Sequence, residues 1–238
     1  MGIGAFVVAI LVVLFGSIVQ GTIGFGLNLL AAPFIALVLP EALPVTLVLV
    51  AWPVGALAAV REQHALDRVA LPWLLAGALP GTLIGLTIVA ATSAEQLAII
   101  VGAVTVIGVV LSLVTPPIRV NATSAGVAGL VSNVTGTAAA VGGPPVALLY
   151  QYHEGATVRA TLGVFFATSA TLSVVGYGVT GELTADRALL ALALVPAMLL
   201  GVWVSRHFHG LVDRRWLCVA VLTLCAIAGT AAILRGAL

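Results

Sequence analysis

The 238 residues contain no lysine, and their only cations at neutral pH are nine arginines. Eight acids complete the charge, so 7% of the chain is charged, where a soluble domain carries about a quarter. A water-facing shell cannot be built from so few charges. With 62% apolar residues and a mean hydropathy of +1.26, the sequence is that of an integral membrane protein. A net charge of +1 without any basic patch excludes a nucleic-acid partner. Cysteine is scarce too: Cys218 and Cys225 lie in one apolar stretch, which excludes a disulfide framework and reads as two small lipid-embedded side chains. The first sixteen residues lack the basic region of a signal peptide, so they are expected to form a retained helix.

Charge is also absent from within the apolar segments, where an ionisable residue would mark a proton relay or catalytic site. Glu41, between Pro40 and Pro44, reads as an interfacial turn. His64, His153, His207 and His209 fall near segment ends and form no metal-ligand pattern. No nucleophile–base pair or metal cluster is visible, so the chain is not read as an enzyme and no cofactor is expected.

A spanning helix needs roughly 20 apolar residues. Apolar segments run near 4–22, 27–39, 44–60, 69–91, 96–114, 122–140, 144–152, 160–179, 188–205 and 216–234. Eight are long; 27–39 and 144–152 are short and follow glycine-rich breaks. The expected architecture is therefore an all-α polytopic membrane protein of eight long transmembrane helices and two short half-helices.

The segments form two sets of similar order. Pro80-Gly-Thr-Leu83-Ile-Gly85 and Pro196-Ala-Met-Leu199-Leu-Gly201 both read PxxLxG, preceded by Asp67-Arg68 and Asp186-Arg187. Gln20 and Asn133 are carboxamides, each followed by a threonine two residues on, then a glycine-rich break and a short helix. These features predict a repeat, with halves 1–115 and 122–238 joined by a linker at 116–121. If each half crosses five times, Arg61, Arg68, Arg119, Arg159, Arg206, Arg214 and Arg215 share one side, opposite Arg187 and Arg235. The positive-inside rule makes the larger group cytoplasmic, and the odd number of crossings makes the repeats inverted, as in secondary transporters.

The breaks are the candidate sites. In Gln20-Gly-Thr22-Ile-Gly24-Phe-Gly26-Leu-Asn28, alternate glycines deter a continuous helix. An unwound backbone at membrane depth needs protein or a wet cavity around it. The helix that restarts near Asn28 offers unpaired amides and a positive dipole end to an anion. The second break runs through Asn133, Thr135, Thr137, Gly142, Gly143, Pro144 and Pro145, with proline suited to a first helical turn. Two positive ends are thus expected to converge at the midplane. Gln20, Thr22, Asn28, Asn133, Thr135 and Thr137 are the expected polar contacts, and Gly24, Gly26, Gly142, Gly143 and Pro144 the close backbone surface. The competing reading is helix packing, in which the glycines are small-residue contact surfaces and the carboxamides interhelical glue. Trp52, Trp73, Trp203 and Trp216 read as interfacial anchors or packing. Tyr150 and Tyr152 offer hydroxyls beyond the second short helix. Thr168 and Ser169 either line the path or bond back to their own helix.

GTIGFGLNLLAAPF near the start, GGPP at Gly142–Pro145 and the two similar halves resemble the TauE/SafE sulfite-exporter family, also called the toluene-sulfonate uptake permeases. The resemblance spans essentially the whole chain, with Leu27-Asn28 standing where many members have further glycines. It implies a polytopic inner-membrane transporter of sulfur-containing anions such as sulfite, thiosulfate or organosulfonates, and binding residues around Gln20–Asn28 and Asn133–Pro145. The expected partners are thus a small anion and the lipid bilayer; small-residue helix faces also leave self-association into a homo-oligomer open. Two other functions remain at this stage, a passive anion channel and a structural membrane subunit.

Overall fold

The computed structural model describes residues 2–116, 118–208 and 214–237. His209 lies outside the described residues, as do the side chains of Arg214, Arg215, Trp216 and Cys218. Among the described residues the regular structure is entirely helical: α1 (Ile3–Ile23), α2 (Leu27–Val38), α3 (Val45–Arg61), α4 (Leu71–Ala91), α5 (Ala94–Val114), α6 (Ala122–Ala139), α7 (Gly143–Leu149), α8 (Gly155–Thr180), α9 (Ala185–Ser205) and α10 (Arg214–Ala237). Each apolar segment has become a helix. α8 starts before the apolar run because Arg159 pairs with Glu62 at 2.7 Å, so a charge inside its first turns is neutralised. Five of the expected long spans, α1, α4, α5, α8 and α9, are long and apolar enough to cross a bilayer. α3 has 17 residues and α6 has 18.

Large apolar side chains such as Leu83, Leu189, Leu192 and Trp203 point outward. Ser17, Thr82, Thr105, Ser132, Asn133, Thr137 and Ser173 are buried instead. This is the arrangement expected where lipid is the outer solvent and helices associate through small residues and hydrogen bonds.

Glycines set the helix pairs. A Cβ on Gly55 (α3) would lie 3.0 Å from the Ala167 nitrogen, and a Cβ on Gly163 (α8) would lie 2.9 Å from the Ala59 nitrogen. Going forward along α3 is therefore going backward along α8, so the two are antiparallel. α5 and α10 repeat the pattern: Gly102 abuts Ile233 and Gly229 abuts Val106. By contrast α4 and α6 run parallel, with Gly77, Gly81 and Gly85 facing Leu130, Asn133 and Thr137 in turn. α1 and α9 are parallel as well, Gly201 abutting Leu14 and Ser17, and Ser205 abutting Gly21. Each contact lies between the chain's first and second halves, which interleave.

If the halves are aligned as the repeat expected from the sequence, these contacts match Asn133 with Ser17. Gly81 meets Leu130 and Asn133 in the way that Gly201 meets Leu14 and Ser17. α1 ends at Ile23 and α6 at Ala139, which again sets Asn133 against Ser17 rather than against Gln20. The two carboxamides occupy different turns because the glycine-rich stretch after Asn133 is longer.

The end of α6 is closed by Tyr177, fully buried on α8, whose hydroxyl donates to the Thr137 carbonyl. That carbonyl is among the last of α6 and lacks an intrahelical donor. Tyr177→Phe is expected to cost about 1–3 kcal/mol by leaving it unpaired. Thermal unfolding of the purified variant checks this.

Candidate functional site

The first break begins where α1 stops at Ile23. Gly24 takes a left-handed conformation at φ 96° and Gly26 reaches φ 121°, geometry that side chains other than glycine resist. The chain thereby reverses into α2 alongside the last turns of α1. The Leu27 N–H donates to the Gln20 Oε1 at 3.1 Å, so Gln20 caps the first amide of the new helix. Helical pairing resumes with Leu30, whose N–H reaches the Gly26 carbonyl at 3.0 Å. The Asn28 and Leu29 amides precede that bond and have no acceptor among the described residues.

The second break is built differently. Ala140 is left-handed at φ 59°, and the Val141 N–H turns back to the Thr135 carbonyl at 3.3 Å. Ser132 Oγ donates to the Gly142 carbonyl and holds the break against α6. α7 then has only seven residues, and Pro144 and Pro145 remove two of its first amides. The expected pair of equivalent positive ends therefore becomes one substantial helix start, at α2, facing a short proline-led turn. A proline fits the first turn of a helix, but it brings no donor for a ligand.

Between the breaks lies a cleft of ≈ 580 Å³, open space at its mouth included. Of the eleven expected binding residues, six line it: Gln20, Gly26, Asn28, Asn133, Gly142 and Gly143. The other five do not. Thr22 and Thr135 bond back to the Ile18 and Val131 carbonyls of their own helices. Thr137 is paired with Ser173, Oγ to Oγ at 2.8 Å. Pro144 packs beneath Gly108 of α5, and Gly24 lies against Arg159. Tyr150 is buried outside the cleft, its hydroxyl donating to Asp67 Oδ2 at 2.9 Å.

Ser169 of α8 lines the cleft, with a buried Oγ that has no partner among the described residues. Phe25, Ser132, Phe166 and Ser173 also line it, and sequence reasoning missed them. The signal for Ser173 was its position one helical turn beyond Ser169; Ser132 was concealed beside Asn133.

The carboxamide orientations follow from their partners. Asn133 Nδ2 donates to the Ala78 carbonyl at 2.9 Å and to Thr82 Oγ1 at 2.7 Å. Asn28 Nδ2 donates to the Leu47 carbonyl at 3.4 Å, leaving its Oδ1 buried and unpartnered. Gln20 is turned the other way: its Oε1 is used and its Nε2 is left as the donor.

Gln20 also lines a second cavity, with Arg61, Glu62, Arg159 and Arg206. Arg159 is tied to Glu62, while Arg61 and Arg206 form no ion pair among the described residues. Gly55 and Gly163 line this vestibule, and their close contact narrows the space between α3 and α8 beside Gln20. At the opposite end of α3, Arg187 donates to the Glu41 carbonyl at 3.0 Å and to Glu182 Oε2 at 2.6 Å. One end of the molecule thus gathers three arginines around a cavity, and the other holds Arg187 in a closed network.

The sequence profile described as Sulfite exporter TauE/SafE matches residues 9–232. No curated protein and no solved structure matches the chain.

Proposed function

Because the chain belongs to the sulfite exporter TauE/SafE family, a family of membrane transporters, we propose that it carries a small sulfur-containing anion across the inner membrane by alternating access. Sulfite, thiosulfate and organosulfonates are the candidate substrates. The observation that carries this reading is the central cleft. Among the described residues, those lining it carry the Asn28 and Leu29 amides, Gln20 Nε2 and Ser169 Oγ, all without an acceptor, and no charged side chain. Neutral donors at a helix start stabilise an anion while leaving it able to depart.

The reading takes the halves as inverted repeats. Its support is the reciprocal packing of α3 with α8 and of α5 with α10, in antiparallel pairs. Reciprocity of this kind is what a two-fold axis produces, and antiparallel equivalents set that axis across the helices, as in secondary transporters. The end bearing Arg61, Arg159 and Arg206 is assigned to the cytoplasm by the positive-inside rule. The cleft and the arginine vestibule meet at Gln20, so separation of α3 from α8 at Gly55–Gly163 would open the cleft to that side.

Sulfite flux into proteoliposomes, measured against concentration, tests the proposal. Saturation, together with loss in Gln20→Leu, is expected. A flux rising linearly with concentration favours the passive channel instead, and absence of both flux and binding favours a structural subunit.

A further inference from the structure

The hydrogen-bonding inventory of the cleft goes beyond a preference for anions. Its donors are Gln20 Nε2, the Asn28 and Leu29 amides and the Ser169 hydroxyl. The carboxamides that line the same cleft supply acceptors that cannot be turned into donors without losing a bond already made. Asn28 Oδ1 is buried with no partner among the described residues, its Nδ2 being engaged by the Leu47 carbonyl. Asn133 Nδ2 is engaged twice, by a carbonyl and by a hydroxyl that itself donates to that carbonyl at 3.0 Å. Its Oδ1 is therefore the end left for the cleft that Asn133 lines. An anion bearing only acceptors would satisfy the donors and set its oxygens against these carboxamide oxygens. A dianion would in addition find no cationic side chain among the described residues of the cleft wall.

We propose that the cleft takes a monoanion that itself donates a hydrogen bond, an oxyacid anion of the hydrogensulfite type, so that the proton travels on the substrate. Its unprotonated oxygens accept from Gln20, Ser169 and the α2 amides, and its hydroxyl donates to Asn28 Oδ1 or Asn133 Oδ1. This rests on the anion-transport reading and supplies a carrier for a proton where no ionisable side chain lines the cleft among the described residues. Export of the protonated form moves one proton with each anion, and no covalent step is involved.

The test is isothermal titration of the purified full-length protein with sulfite at a series of pH values, at constant ionic strength, and with methanesulfonate and sulfate. Methanesulfonate carries the single negative charge of hydrogensulfite and has a methyl group but no hydroxyl. On the alkaline side of the sulfite–hydrogensulfite equilibrium, the apparent Kd for total sulfite is expected to rise about tenfold per pH unit, as the competent fraction of ligand falls. Methanesulfonate is expected to bind on the order of 10- to 100-fold more weakly, because it leaves a buried acceptor unpaired. In Asn28→Leu, which removes one acceptor, that preference should shrink. Methanesulfonate binding as tightly as hydrogensulfite, a Kd independent of pH, or binding that follows Na⁺ rather than pH would overturn the proposal and leave the anion reading standing. Failure of every anion to bind would overturn both.

Discussion

Gly81→Val is expected to deplete folded protein more than any substitution in the cleft. Gly81 lies in the parallel α4–α6 contact, where a Cβ would stand 2.9 Å from the Asn133 Cβ and closer still to the Leu130 carbonyl. Backbone atoms cannot step aside as a flexible side chain would, so the helices must separate. Overpacking of one core site costs about 1–3 kcal/mol and sometimes more. Here separation also draws Asn133 away from Ala78 and Thr82, breaking two buried hydrogen bonds. Gly178→Ala on α8 is the matched control, since nothing lies within 4 Å of its added Cβ, and alanine favours a helix by about 1 kcal/mol over glycine. Size-exclusion recovery and thermal unfolding in detergent should show loss for the first and a neutral or slightly raised midpoint for the second. Equal behaviour of the two would refute the close α4–α6 approach.

The second large effect is expected at Gly26→Ala. At φ 121° and ψ −12° the backbone is outside the range an alanine accepts, a strain of about 1–3 kcal/mol. An added Cβ would also lie 2.8 Å from Val19 Cγ1. Relief requires the chain to re-enter α2 at another angle, which detaches the Leu27 amide from Gln20 and re-aims the free Asn28 and Leu29 amides. Binding should therefore fall further than stability does. Sulfite titration and unfolding of the same preparation separate the two, and unaltered affinity in a folded variant would count against the α2 amides as ligands.

Helix content and the location of both breaks were legible from one-dimensional features. Long uncharged runs can only be helices in a bilayer, because every backbone group must bond within its own segment. Gly24 and Gly26 interrupt such a run through their own backbone conformation, and Pro144 opens a new one because it lacks an amide, reasons that need no neighbour. Other properties are pairwise, and pattern alone could not supply them. Thr22, Thr135 and Thr137 look equivalent to Ser169 as polar residues near a break. Only the packing shows the first two spent on their own helices, the third on Ser173, and Ser169 free in the cleft. Pro144 and Gly24 belong to the breaks in sequence and leave the cleft in space.

The sequence by itself determined that this chain lives in a bilayer, as helices interrupted twice, because those outcomes follow from transfer free energy and local backbone geometry. Tertiary structure decided which end of each carboxamide faces the cleft. That choice is made by the Ala78, Leu47 and Leu27 backbone groups, 55, 19 and 7 residues away along the chain. A carboxamide offers a donor and an acceptor alike until a neighbour takes one of them, so its chemistry toward a ligand exists only in the folded molecule.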